Sequence, residues 1–143
     1  MFQSRLLSKR ISHIAKYTQF HMDEVLKPYN LSYGLYPFLL ELWEEEGINL
    51  EKLSRKIMVD KALSTRAIQK LIQLGYLEKV TDEQDLRAYR LFLTEAGKKI
   101  VPDVKEKIHQ WNEGITMDLT KEEKDVLNTF LDKILERASQ KKL

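Results

Sequence analysis

The stretch DKALSTRAIQKLIQL, residues 60–74, contains side chain types that can hydrogen-bond to base edges and others that can bind phosphates. An arginine and a glutamine can each form two hydrogen bonds, at a guanine edge and an adenine edge respectively. Lysines contact phosphate oxygens and add affinity without sequence information, and serine and threonine hydroxyls suit either partner. If the apolar residues line the inner face of a helix, the outer face carries Lys61, Ser64, Thr65, Arg66, Gln69 and Lys70. The alternative is an inert, solvated face of an amphipathic helix.

A second candidate site follows in TDEQDLRAYRLFLTEAG, residues 81–97. Tyr89, Leu91 and Leu93 lie at alternate positions after a short run at 76–80, which predicts a two-stranded hairpin. The polar residues between the strands would form its tip, where they stabilise no core. The charged residues of this segment include Asp85, Arg87 and Arg90.

Two short predicted helices would position the first stretch. Asn49 can cap a helix that runs to Ile57, and Asp60 can cap the next one, which ends at Gly75. The gap of about three residues fits a helix-turn-helix, whose second helix enters the DNA major groove. A preceding helix is predicted over residues 31–46, with these side chains buried: Leu35, Phe38, Leu39, Leu42 and Trp43.

Both ends of the chain carry apolar stripes at helical spacing. The N-terminal stripe is Leu7, Ile11, Ile14, Thr18, Met22, Val25 and Tyr29. A second stripe, in a helix that Pro102 should kink, is Ile100, Val104, Ile108, Trp111 and Ile115. Thr120 and Glu123 fit a capping box for a last helix whose inward residues would be Leu127, Phe130, Leu131, Ile134 and Leu135. A winged helix cannot cover such long stripes, whereas pairing of two copies would bury them.

The composition is that of one ordered, mostly helical domain. The chain has 143 residues, five glycines and three prolines, and this length suits a single folding unit. The absence of cysteine excludes disulfides, thiolate zinc sites and thiol redox sensing. The longest apolar run is far short of the roughly 20 residues that span a bilayer, and the N-terminus lacks a signal-peptide core. We therefore expect a cytoplasmic protein without a membrane segment.

The distribution of charge is more informative than the net charge of +2. Residues 50–70 hold six basic and two acidic side chains, whereas residues 35–49 hold four glutamates and no base. Opposite charge in adjacent segments predicts an oriented surface whose basic part faces a negative partner.

The run LEKLSRKIMVDKALSTRAIQKLIQLGYLEKV followed by DEQDLRAYRLFLTEAG resembles the winged helix of the MarR family of bacterial and archaeal transcription regulators. The N-terminal helix, the segment YNLSYGLYPFLLEL and the region WNEGITMDLTKEE also match that family's layout. The most specific part is D-x-R, an alternating strand and L-T-x-x-G, which here comprises Asp85, Arg87, Leu93, Thr94 and Gly97.

The resemblance implies a homodimer that binds a near-palindromic operator. Residues 1–30 and 100–143 would be the dimerisation helices, and residues 31–99 the winged helix-turn-helix, within one MarR-like domain spanning 1–143. The resemblance also implies that Arg87 reaches the minor groove, whose negative potential favours a guanidinium, and that Asp85 orients it. The chain departs from the family pattern at Leu86, where a second basic residue is usual, and its wing is unusually acidic.

Other constellations give little support for chemistry. The three histidines have no zinc-motif spacing, and the four glutamates near Trp43 fit a solvated helix face better than a catalytic pair. No catalytic motif, cofactor or metal site is predicted. The aromatic residues of the N-terminal third suit core and dimer packing. Because many regulators that the chain resembles bind small aromatic or phenolic anions beside the dimerisation helices, the candidate effector residues are His13, Tyr17 and Tyr36.

These features predict an all-α winged helix-turn-helix with a small β-hairpin wing. The expected function is sequence-specific binding of double-stranded DNA as a homodimeric repressor, relieved by a small aromatic or anionic ligand. The alternative is a winged helix that binds another protein and has no specific DNA site. An enzyme is not expected.

Overall fold

The computed structural model describes residues 3–85 and 88–140. Short 3₁₀ turns lie at Ser4–Leu6 and Lys27–Tyr29. The helices and strands, in chain order, are α1 (Leu7–Val25), α2 (Tyr36–Glu44), α3 (Leu50–Ile57), α4 (Lys61–Gln73), β1 (Leu77–Thr81), β2 (Tyr89–Leu93), α5 (Glu95–Ile115) and α6 (Lys121–Ser139). This mostly helical architecture with one antiparallel hairpin in the described residues confirms the predicted fold class. Two compact units divide within α5, one up to residue 108 and one from residue 109 onward.

Local sequence determines the helix-turn-helix. The Asn49 side chain accepts a hydrogen bond of 2.8 Å from the Lys52 backbone N–H, which starts α3. Asp60 Oδ1 accepts one of 2.7 Å from the Leu63 N–H, which starts α4. Both caps satisfy donors that a first helical turn leaves without partners, as predicted. Gly75 follows α4 with a positive φ of 83°, a conformation that a glycine adopts without steric penalty.

The wing pairs β1 with β2 in antiparallel register, with Leu77 opposite Leu93. The chain before α3 adds a short bridge to this hairpin, because the Leu91 N–H donates 3.0 Å to the Ile48 carbonyl oxygen. Leu77, Leu91 and Leu93 are buried. One face of the wing therefore packs into the core of the first unit, and the predicted hairpin is confirmed.

The core of the first unit joins the end of α1 to the winged helix. Its buried apolar side chains come from α1 and the following turn, α2, α3, α4, both strands and the first half of α5. The largest fully buried residues include Phe38, Met22, Leu26, Leu53 and Leu71. A core with contributions from so many elements fixes the orientation of α4 relative to the wing.

The helix predicted over residues 31–46 is shorter than expected. It begins at Tyr36, because the preceding residues form turns in which the Tyr33 N–H donates 2.7 Å to Asp23 Oδ1. Trp43 was expected to be buried and is exposed. It lies roughly 90° around the helix from the centre of the face formed by Phe38, Leu39 and Leu42, and Lys105 Nζ lies 5.3 Å from its ring centroid.

In the second unit, α6 begins with the predicted capping box. The Glu123 N–H donates 3.1 Å to Thr120 Oγ1, and the Thr120 N–H donates 2.9 Å to the Glu123 carboxylate. The apolar side chains of α6 that were expected to point inward are exposed in the single chain: Phe130, Leu131, Ile134 and Leu135. An apolar groove of about 430 Å³ lies at the start of this helix, lined partly by Leu119, Val126 and Phe130.

Among the described residues, no helix combines the length and apolar character needed to cross a membrane.

Candidate nucleic-acid interface

The outer face of α4 presents polar and basic side chains to solvent. Lys61, Arg66, Gln69 and Lys70 are exposed, as predicted, and Thr65 is half-buried. The Thr65 hydroxyl donates 2.8 Å to the Lys61 carbonyl oxygen and keeps its lone pairs for another donor. The burial of Ile68 and Leu71 on the opposite face holds these polar groups on one side of the helix.

Ser64 does not lie on this outer face, and the prediction that it does is wrong. Its side chain is fully buried, and its hydroxyl has no hydrogen-bond partner within the described chain. Residues at i, i+4 and i+7 share a helix face, so Ser64 lies with Ile68 and Leu71. Leu63 points outward in its place and is 49% exposed.

The basic residues of α3 are held in ion pairs. Glu45 accepts hydrogen bonds from Lys52 Nζ at 2.8 Å and from Lys56 Nζ at 2.5 Å. These two hydrogen bonds, with the charges that make them, lower the pKa of Glu45 from 4.5 to about 2. Arg55 lies 3.8 Å from Glu51 in a looser, exposed pair.

The six cations of residues 50–70 therefore fall into two groups. The three on α3 have acidic partners, whereas Lys61, Arg66 and Lys70 on α4 pair with none of the described residues. The acidic segment before α3 also reaches beyond the helix-turn-helix, since Glu46 lies 3.7 Å from Lys98 and Glu44 lies 3.5 Å from Lys105. Within residues 50–70, the cations without an acidic partner among the described residues therefore all lie on α4.

The wing presents charge at its far end. Asp85 is exposed, and its carbonyl oxygen accepts 2.9 Å from the Ala88 N–H. The Asp82 side chain accepts 2.9 Å from the Gln84 N–H and shapes the turn. Arg90 is exposed on β2, opposite Val80. Leu86 and Arg87 lie outside the described residues.

The three candidate effector residues have different surroundings. His13 and Tyr17 are exposed on α1, four residues apart and so on one face. Tyr36 is half-buried at the start of α2, where its ring meets Tyr33 edge-on with the centroids 5.8 Å apart. Burial, and secondarily the charge of Tyr33, raise the pKa of the Tyr36 hydroxyl. A neutral phenol is therefore available there as a hydrogen-bond donor.

Two exposed apolar residues near the start of α4 were missed. Leu63 is one, and Met58, at 87% exposure with a positive φ of 63°, is the other. The register of the apolar residues in α4 carries the signal for Leu63, because Ser64 completes the inner stripe. Among the described residues, no group of three or more His, Asp or Glu side chains could hold a metal ion.

This combination of a capped helix pair, a free basic face on the second helix and a following hairpin defines a winged helix-turn-helix DNA-binding protein. The model of the MarR family matches residues 31–89. The transcriptional regulator BilQ of Clostridioides difficile is 33% identical over 118 residues, which cover 82% of this chain and 80% of BilQ. This chain belongs to the MarR family. It is a DNA-binding transcription regulator and not an enzyme.

Solved structures show the same fold. A MarR transcriptional regulator from Methanosarcina mazei superposes with a TM-score of 0.88 at 36% identity, covering 95% of this chain and 98% of that one. A mutant MarR from E. coli, solved in complex with operator DNA, has a TM-score of 0.81 at 23% identity, with coverage of 90% and 93%.

Proposed function

We propose that this chain is a cytoplasmic homodimeric repressor that binds a near-palindromic operator and releases it when a small aromatic or anionic ligand binds. DNA binding is supported mainly by one observation. On the outer face of α4, Lys61, Arg66 and Lys70 have no acidic partner among the described residues. Free cations on one face release the counterions of DNA when they meet phosphates, which is the main source of affinity.

The roles of the α4 side chains follow from their chemistry. With α4 in the major groove, Arg66 and Gln69 read guanine and adenine edges. Lys61 and Lys70 contact phosphates. The Thr65 hydroxyl donates its proton to the Lys61 carbonyl oxygen, so it accepts a hydrogen bond from an amino group on a base edge. Ser64 has no direct part, because its side chain is buried. It is the only one of the six α4 candidates that we withdraw.

The wing supplies the second contact. We place Arg87 in the minor groove, with Asp85 orienting it, and Arg90 at the flanking phosphates. The exposure of Asp85 and Arg90 supports a wing that faces the partner. Arg87→Ala should then weaken operator binding and leave the dimer intact, whereas unchanged binding would remove the wing from the mechanism.

The dimer rests on apolar surface that the single chain leaves exposed. Ile11, Ile14 and Phe20 on α1 are exposed, as are Phe130 and Leu135 on α6. Large apolar side chains exposed on each of these helices support an interface, and pairing of two copies about a two-fold axis would bury them. We assign residues 1–30 and 100–143 to dimerisation and residues 31–99 to the DNA-binding portion of one MarR-like domain.

The ligand response is supported by the aromatic residues near the start of the winged helix. We assign His13, Tyr17 and Tyr36 to effector binding, with the neutral Tyr36 hydroxyl as the donor to an anion. The dimer would have two conformations that differ in the spacing of its two winged helices. Such a ligand relieves repression only if it binds one of these conformations more tightly than the other.

The decisive test is selection from a pool of random duplexes at moderate salt. A palindromic site should be enriched, with half-sites one helical turn apart or a multiple of it. The logarithm of the affinity should fall steeply and linearly with the logarithm of the salt concentration. Enrichment of no palindromic sequence would refute the operator-binding dimer and favour a winged helix that binds protein.

Sedimentation tests the dimer separately. Wild-type protein should sediment as a dimer, and Leu131→Glu, which places a charge in the exposed α6 stripe, should sediment as a monomer. Glu122→Lys is the matched surface control, since this residue is exposed at the start of the same helix. A monomeric wild-type protein would refute the dimer.

A further inference from the structure

Leu63 is an apolar residue in an unusual position on α4. It is the third residue of the helix, and its backbone N–H is fixed by the 2.7 Å hydrogen bond to the Asp60 side chain. The burial of Ser64 and Ile68 turns Leu63 away from the core, and its side chain is 49% exposed. In the described chain, it is not among the hydrophobic residues that pack against the core.

The surroundings of Leu63 are cationic. Arg66 lies three residues further on and therefore on the same side of the helix, and Lys61 lies in the same first turn. A single exposed leucine is ordinary on a protein surface. Here, however, the leucine lies in the N-terminal half of the second helix of a helix-turn-helix, which is the part that meets base edges.

The major groove offers one apolar group to such a side chain. Each base edge there presents hydrogen-bond donors and acceptors, and thymine alone adds a C5-methyl group. A leucine placed against a donor or acceptor would strip water from it without replacing the hydrogen bond, which is costly. The same leucine against a methyl group removes two apolar surfaces from water.

We propose that Leu63 packs against the C5-methyl group of one thymine in each half-site and thereby selects a T·A pair at that position. The proposal rests on the proposed placement of α4 in the major groove. It adds an apolar contact to the polar contacts of Arg66 and Gln69, and so names a specificity-determining residue that hydrogen-bonding chemistry alone does not reveal.

Deoxyuridine provides the test, because it differs from thymidine only by lacking the C5-methyl group. The dissociation constant of the wild-type protein is measured on the selected palindromic duplex and on duplexes in which each thymine is replaced singly by deoxyuridine. At one position per half-site, the replacement should raise the dissociation constant by about fourfold, the effect expected from losing roughly one buried methyl-sized group. All other thymines in the major groove should show smaller changes.

The variant Leu63→Ala is measured on the same duplexes, which gives a double-mutant cycle between the leucine and the thymine methyl group. It should bind the thymine duplex more weakly and show no further loss on the sensitive deoxyuridine duplex. Val80→Ala is the matched control, because Val80 is equally exposed at 49% but lies on the wing, and it should keep the full sensitivity. Unchanged melting temperatures confirm that both variants are folded.

The outcomes separate the two proposals. Specific binding of a palindrome with no deoxyuridine-sensitive position, or with equal sensitivity in Leu63→Ala and wild type, overturns the role of Leu63 and leaves the operator-binding function standing. Enrichment of no sequence from the random pool overturns both.

Discussion

The hydroxyl of Tyr76 donates a hydrogen bond of 2.8 Å to the backbone carbonyl oxygen of Tyr29. Tyr76 lies between α4 and β1, and Tyr29 lies in the 3₁₀ turn after α1. The bond is partly buried and joins positions 47 residues apart. It therefore connects the end of the DNA-binding helix to the segment that leads out of the N-terminal helix.

Removing this hydroxyl should destabilise the protein without disturbing the core. Tyr76→Phe should lower the free energy of unfolding by about 1 kcal/mol, the usual net value of one hydrogen bond, as measured by urea denaturation. Tyr29→Phe is the control, since within the described part of the chain its hydroxyl makes only an exposed contact of 3.4 Å with Asp103. Equal losses in both variants would contradict the assignment.

Gly97 should not tolerate a side chain. A Cβ atom at this position would lie 2.3 Å from the Tyr76 carbonyl oxygen, a backbone atom. Gly97→Ala should lower the melting temperature, with a loss of about 1–3 kcal/mol as is typical of overpacking. The control is Gly114→Ala on the same helix, where a Cβ meets no described atom within 4 Å. That variant should be neutral or more stable, because alanine favours helix.

The ion pairs of Glu45 should make stability depend on acid pH. Its folded-state pKa is lowered from 4.5 to about 2, so its contribution is present above pH 4.5 and is lost as the pH falls toward 2. Urea midpoints of wild type and Glu45→Gln should therefore differ above this window and converge within it. Glu51→Gln, which alters only the exposed 3.8 Å pair with Arg55, should match wild type throughout. A constant difference at every pH would refute this role.

Replacing Arg66 and replacing Lys70 should have different effects on DNA binding. Arg66→Ala should cost about 1–3 kcal/mol at one base pair and relax the preference there, as expected for a bidentate contact. Lys70→Ala should weaken binding to all duplexes equally and reduce the salt slope by about 1 for each half-site of the dimer. Dissociation constants on a set of single-base variants, at several salt concentrations, distinguish these results. A uniform loss for Arg66→Ala would make it a phosphate contact.

The sequence predicted the elements whose causes are local. Asn49, Asp60 and Thr120 accept the capping hydrogen bonds expected of them, because an N-cap depends on residues two or three positions away. The hairpin followed from alternation and a polar turn, and the family pattern of the wing was readable from Asp85 to Gly97. Short-range geometry and residue type were sufficient for each of these features.

Only the tertiary structure decided which side chains face outward and which charges remain free. The prediction of Ser64 on the outer face of α4 is an error of one position around the helix. In the structure Ser64 is buried against the core, and Leu63 is exposed instead. Likewise, the sequence shows six cations in residues 50–70, but it does not show that two of them, Lys52 and Lys56, form ion pairs with Glu45. The register of α4 allows Ser64 on the inner stripe, but only packing against the core decides it. Similarly, only the folded path of the chain between α2 and α3 decides which cations Glu45 meets.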